Sequence, residues 1–264
     1  VMLTISAAAG DIYYTTDGSD PANEDDSVGA GASVYGSPVP LTRNVRVKAR
    51  ARSGGTWSAL TEAVFIAGRP DLRVTEVMYH PPAPPAGSPY LADDFEFIEL
   101  ANVGTAALPV RTFALTKGIQ FSLGNAALCL APEQCIVLAR NPAAFATRYN
   151  TSSYAVVGGY AQSLDNGGEE LAFSDAIYGT VQDFAYSDTW FPETDGGGFS
   201  LTIKDAAGDV GMWNTQEGWR ASFADLGTPG CIEVPEPGCL ALLLCAAWCA
   251  GRRRQNPPAS RFRC

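Results

Sequence analysis

Apolar and polar residues alternate in short runs along most of this chain, and turn-forming residues close nearly every run. Val1, Leu3 and Ile5 alternate, then Ile12-Tyr-Tyr-Thr-Thr16 runs into Asp17-Gly18-Ser19-Asp20-Pro21, a strand stopped by a strong turn signal. The clearest period of two is Val45-Arg-Val-Lys-Ala-Arg-Ala-Arg52. It puts Val45, Val47, Ala49 and Ala51 on one face of a strand and Arg46, Lys48, Arg50 and Arg52 on the other. Ser53-Gly54-Gly55 turns the chain, Trp57 can cap the core, and Ala63-Val-Phe-Ile66 closes this first sheet.

After Ala67-Gly68-Arg69-Pro70, a short linker stiffened by Pro70, the pattern resumes. Leu72 to Tyr79 reads as a strand closed by His80-Pro81-Pro82, and a loop with Pro84, Pro85 and Pro89 leads to Asp94-Phe-Glu-Phe-Ile-Glu-Leu-Ala-Asn102. Further apolar segments run from Cys135 to Phe145, Leu164 to Phe173, Val181 to Tyr186 and Gly196 to Ile203, and Gly227-Thr-Pro-Gly230 ends the series. Short turn-separated strands predict an all-β chain of two modules, 1–67 and 71–231, the second of them a β-sandwich. A tail, 232–264, follows; within it Leu240 to Ala250 carries no charge and predicts a short apolar helix. That run falls well below the roughly 20 residues a spanning helix needs.

Composition sharpens this picture. The chain is 46% hydrophobic and 17% charged, with 27 Gly and 18 Pro, which suits a turn-rich globular protein. Its net charge of −10 is uneven: −2 over 1–66, −11 over 67–231 and +3 over 232–264. An acidic body repels phosphate backbones, so nucleic acid is not an expected partner. The opening Val1-Met-Leu-Thr-Ile-Ser lacks the basic and apolar stretches of a secretory signal, so the chain is expected to be a fragment of a longer protein.

Candidate chemistry is sparse. Glu96 and Glu99 are three apart on a predicted strand and so face opposite ways, which prevents joint work on a glycosidic bond. Glu169 and Glu170 follow Gly167-Gly168 and read as solvated. His80 lacks a serine or cysteine in a nucleophile-elbow setting, and Gly196-Gly-Gly198 lacks the Lys-Ser/Thr of a phosphate loop. Trp57, Trp190, Trp213 and Trp219 read as core anchors rather than a sugar platform. Cys129 and Cys135 flank a turn and could bridge in an oxidising compartment; the seven cysteines do not form a zinc pattern. The acidic loop Asp17, Asp20, Asn23, Glu24, Asp25, Asp26 lacks calcium-loop spacing. No catalytic residue, metal or cofactor is therefore expected. The stripe Arg46, Lys48, Arg50, Arg52 is the candidate polyanion-binding feature, against the simpler reading of a soluble strand face.

Three stretches resemble known families. The run IYYTTDGSDP, then SPVPL, VRVKARA and WS, resembles the C-terminal module of chitobiase and β-hexosaminidase enzymes, an immunoglobulin-like sandwich without catalytic residues. The series EVMYHPP, EFIELAN, VLARNPAAF, SLDNGGEELAF, the Trp190-containing stretch to DGGGFSL, Trp219 and GTPG resembles a bacterial lamin-tail domain, also immunoglobulin-like; Phe113 stands where that family usually has Gly-Trp. The end of the chain, with Pro235-Glu236-Pro237, the uncharged run and Arg252-Arg253-Arg254, resembles the PEP-CTERM sorting signal. That resemblance implies export, transient inner-membrane insertion with the arginines on the cytoplasmic side, and release to the cell surface or matrix.

The combined expectation is a non-catalytic, exported surface or extracellular-matrix protein whose sandwiches bind exopolysaccharide or surface proteins. Two alternatives stand beside it: the C-terminal accessory region of a larger extracellular hydrolase, nuclease or spore-coat-kinase-like enzyme, and a polysaccharide-binding module.

Overall fold

The computed structural model describes residues 1–125 and 128–233, and the fold is mostly β, with a single α-helix among the described residues. The chain divides into two compact units, Val1–Pro70 together with Asp175–Val181, and the remainder from Asp71. The predicted tail helix, Pro235, Glu236, Pro237 and Arg252 to Arg254 lie outside the described residues.

The first unit holds β1 (Met2–Leu3), β2 (Asp11–Thr15), β3 (Ser33–Val34), β4 (Val39–Pro40), β5 (Val45–Ser53), β6 (Thr56–Trp57) and β7 (Thr61–Phe65). Strand β5 is its spine, pairing antiparallel with β2, β6 and β7. The two-residue period works as the physics of a half-buried strand requires. Val45, Val47 and Ala49 are buried, and Val45 and Val47 cluster with Leu3 and Leu41, while Arg46, Lys48, Arg50 and Arg52 occupy the opposite face. Trp57 lies half-buried at the edge, edge-on to Tyr13, with its indole N–H donating to the Asp26 carbonyl at 2.9 Å.

After Pro70 come β8 (Leu72–Met78), β9 (Phe97–Asn102), β10 (Leu108–Pro109), β11 (Phe113–Lys117), β12 (Phe121–Ser122), β13 (Cys129–Leu130), β14 (Cys135–Ala139), α1 (Pro142–Arg148), β15 (Ala155–Gly158), β16 (Glu170–Asp175), β17 (Gly179–Ala185), β18 (Leu201–Ile203) and β19 (Trp219–Ala221). A six-stranded sheet runs β15-β14-β9-β8-β18-β19 and a four-stranded one β12-β11-β16-β17. Phe184 of β17 stacks on Trp219 of β19 with ring centroids 5.5 Å apart, and Phe113 packs on Phe173 at 6.1 Å. Trp213 and Trp219 are fully buried, each donating its indole N–H to a carbonyl, of Val74 and Trp213 respectively. They anchor the core as expected.

Two features depart from simple alternation. The stretch from Cys135 to Phe145, read as strand-like throughout, bends after β14 into α1, which Asn141 starts by accepting from the Ala143 and Ala144 amides. Pro142 at the first turn supplies a fixed φ and no surplus donor. The helix packs Phe145 onto Phe97, Val137 and Ala139 of the sheet. The second departure is a bulge in β8: Val74 pairs with Leu100, yet Glu76 pairs with Glu99, so Thr75 is an extra residue. Without it Thr75 would sit opposite Glu99 and Glu76 opposite Ile98.

Candidate functional site

Most polar clusters of the molecule are satisfied within themselves. The cationic stripe of β5 is one. Arg46 Nη1 lies 2.6 Å from Glu62, with Lys48 3.9 Å from the same carboxylate. Arg50 holds Asp20 through both Nε and Nη2, at 2.8 and 2.7 Å, which pulls the Asp20 carboxyl below its ordinary range. The Arg52 guanidinium lies over the Trp57 ring. The four residues share a face as the period predicts, but this face offers a polyanion much less net charge than the sequence implies. Asp20 comes from the acidic loop, where Asp25 meanwhile accepts from Ser27.

His80 at the end of β8 is held by a residue 115 positions away. Its Nδ1 lies 2.6 Å from Asp195 Oδ1, and Gly196 packs against the ring. Alongside, the Tyr79 hydroxyl meets Thr194 Oγ1 at 2.9 Å, and burial pushes the Tyr79 phenol up to about 12. The carboxylate orients the imidazole as in a catalytic dyad. Among the described residues, no serine, threonine or cysteine side chain is hydrogen-bonded to Nε2.

The carboxylates behave less simply than the sequence implied. Glu96 and Glu99 are indeed held apart: Glu96, fully buried ahead of β9, accepts from Arg140 Nη1 at 3.1 Å and from the Leu164 amide at 2.9 Å. Burial nonetheless raises its carboxyl to about 8. Glu169, expected to be solvated, is half-buried and accepts from the Asp165 amide and the Tyr186 hydroxyl. Glu170 is exposed and pairs with Lys117.

The arrangement that sequence reasoning missed centres on Glu76. The β8 bulge sets it directly across from Glu99, and both side chains are fully buried on the face that carries Phe97 and Val137. Glu76 Oε1 accepts from Ser200 Oγ at 2.5 Å and from the Thr228 amide at 2.8 Å. Glu99 accepts from Thr75 Oγ1 and from the Gly230 amide, each at 2.6 Å. A third carboxylate, Glu233, accepts from Arg220, Thr202, Phe223 and Thr228. Burial, then mutual repulsion, holds Glu76 well above the ordinary carboxyl range, and burial raises Glu99 to about 7. Cys135 lies beside Glu99 as a free, buried thiol that burial pushes upward, so the Cys129–Cys135 bridge is not formed. The clue available in the sequence was Gly227-Thr-Pro-Gly230, although nothing in it names the partners. Both glycines have positive φ; a Cβ on Gly227 would strike the Glu76 carboxylate, and one on Gly230 the Tyr154 ring.

Residues 1–64 match the family described as Fn3 associated. No curated protein matches the chain. Among solved structures, the chain is similar to a DUF4876 family protein from Bacteroides thetaiotaomicron VPI-5482, at 12% identity over 87% of this chain and 92% of that one. The TM-score is 0.31, a likeness too distant to carry any inference.

Proposed function

We propose that this chain is a non-catalytic, exported surface or extracellular-matrix protein. In this reading two immunoglobulin-like modules, the first chitobiase-like and the second lamin-tail-like, are delivered by a PEP-CTERM tail that inserts transiently in the inner membrane. The observation that carries it is the order of elements at the chain's end: Pro235-Glu236-Pro237, the uncharged run Leu240 to Ala250, and Arg252 to Arg254. Satisfied polar clusters support the non-catalytic part, because ionisable groups locked in internal bonds are poorly placed to act on a substrate. The surface is thus left to act through shape and loops, toward exopolysaccharide or surface proteins.

The test is to express the exported protein in a Gram-negative host that carries the sorting machinery, with Arg252, Arg253 and Arg254 changed together to Ser. Loss of membrane retention or of the processed form is the expected result. Unchanged fractionation and electrophoretic size would overturn the sorting reading.

A further inference from the structure

The last described stretch of the chain, Leu226 to Glu233, is held by an unusual set of acceptors. Its amides do not join a strand ladder. Instead the Thr228 amide points at Glu76 and the Gly230 amide at Glu99, while the Leu226 amide reaches the Gly198 carbonyl and the Tyr149 hydroxyl donates to the Leu226 carbonyl. Leu226 itself has a φ of 67°, a left-handed conformation that is strained for a leucine and persists only where neighbours enforce it. The stretch is therefore strained and is tied down through two buried carboxylates that face one another across β8 and β9.

We propose that Glu76 and Glu99 form a proton-controlled latch, which docks Leu226 to Glu233 on the six-stranded sheet while the pair keeps a proton and frees it when both ionise.

The charges around the pair give the latch its direction. From β14 the neighbour is Cys135; from the segments after α1 come Tyr149 and Tyr154; from the latched stretch come Cys231 and Glu233. All are neutral or acidic. The Arg220 guanidinium pairs with Glu233 at 3.1 Å. One proton on the pair leaves a single negative charge for the Ser200, Thr75, Thr228 and Gly230 donors to stabilise. Loss of that proton leaves two adjacent buried charges, with Glu233 as a third nearby. Hydrating them is then favoured, and the way for water to reach them is to lift the glycine-flanked stretch that covers them. The direction is the reverse of ordinary acid loosening: this latch opens as the pH rises. Because residues 234–264 continue directly from it, the device would govern how firmly the root of the tail is held.

Hydrogen exchange by mass spectrometry on the full chain between pH 5.5 and 8.5 tests the latch, with protection factors corrected for intrinsic rates. Peptides covering Leu226 to Glu233 should lose protection by up to about tenfold per pH unit, the slope for release of one proton. Peptides from β14 should hold theirs over the same range. In Glu76→Gln, and separately in Glu99→Gln, the amide keeps an acceptor oxygen and cannot ionise, so the closing stretch should become insensitive to pH. Far-ultraviolet circular dichroism identifies a variant that has not folded, in which case the wild-type series and the other variant decide. Protection that is flat with pH in the wild type overturns the proposal, as does parallel loss in the closing stretch and β14. An unchanged pH slope in a folded Gln variant also overturns it.

Discussion

Arg140 shows how far a single residue's worth depends on its partner's protonation. Its guanidinium reaches Glu96 at 3.1 Å and Asp93 at 3.3 Å, and Glu96 is fully buried with a carboxyl raised to about 8. At pH 6 Glu96 is therefore mostly neutral and asks little of the cation. At pH 9 it is charged, and a buried carboxylate deprived of its partner is costly. We expect Arg140→Ala to destabilise the second unit by about 1 kcal/mol at pH 6 and about 2 kcal/mol at pH 9, the added loss being capped near the one pH unit between the raised carboxyl and pH 9. Urea unfolding at the two pH values checks this. An equal loss at both would mean that Glu96 does not change its charge between them. Little of this was legible beforehand, because the sequence shows Glu96 and Arg140 as residues 44 apart without indicating that folding buries the carboxylate. The same holds for His80 and Asp195, and for Arg50 and Asp20: each residue was visible, but its partner was not. The stripe Arg46, Lys48, Arg50, Arg52 was read correctly as one face of a strand, since alternation is a local property. Its neutralisation by Glu62, Asp20 and the Trp57 ring depends on which segments come alongside β5, a non-local property.

At the scale of elements, strands were legible where pleating forces the pattern, as in β2, β5 and β8. The helix α1 was not, because seven residues are too few to establish a helical period. The dipeptide Asn141-Pro142 was nevertheless present, and it is the start signal that mattered. Asn141→Ala should remove two amide contacts and lower the stability of the second unit by about 1 kcal/mol, within the usual range for an N-cap. Asn141→Ser or Asp should restore most of it, whereas an Ala variant as stable as the parent would show that Phe145 packing alone holds the helix. The β8 bulge was equally hidden. A strict period of two through Val74-Thr75-Glu76-Val77 would give two apolar residues on opposite faces, yet Val74 and Val77 both face the partners Leu100 and Ile98 in the core. Once the extra residue at Thr75 is placed, both the apolar face and the Glu76–Glu99 pairing follow. Thr75→Val keeps the register and removes the hydroxyl donor to Glu99, at a cost of about 1–3 kcal/mol. Deleting Thr75 would remove the bulge while leaving Glu76 opposite Glu99, so urea unfolding of the two variants separates the hydroxyl's contribution from that of the bulge.

For the whole molecule, the carboxylates of the two units respond to pH in opposite ways. In the first, Asp20 and Asp25 sit below the ordinary carboxyl range because of bonds to Arg50 and Ser27. Their contribution is complete above the unfolded carboxyl range and disappears only as pH falls through their lowered values. In the second, Glu76, Glu96, Glu99 and Glu169 are all raised, mainly by burial, while Asp183 is lowered by Lys117. A folded unit with raised carboxyls binds more protons than its unfolded chain across the interval from about 4.5 to about 8. Its stability is therefore fully present below that interval and falls as pH rises through it. The first unit should unfold at the same urea concentration at pH 5 and pH 8.5, and the second at a clearly lower one at pH 8.5. Trp57 lies in the first unit, and Trp190, Trp213 and Trp219 lie in the second. Fluorescence of a variant with Trp57 and the tail's Trp248 both changed to Phe, at constant ionic strength, therefore follows the second unit's transition. A midpoint that stays put or rises between pH 5 and pH 8.5 would mean that the buried glutamates are already compensated in the folded unit, and the burial argument for all four would fail together.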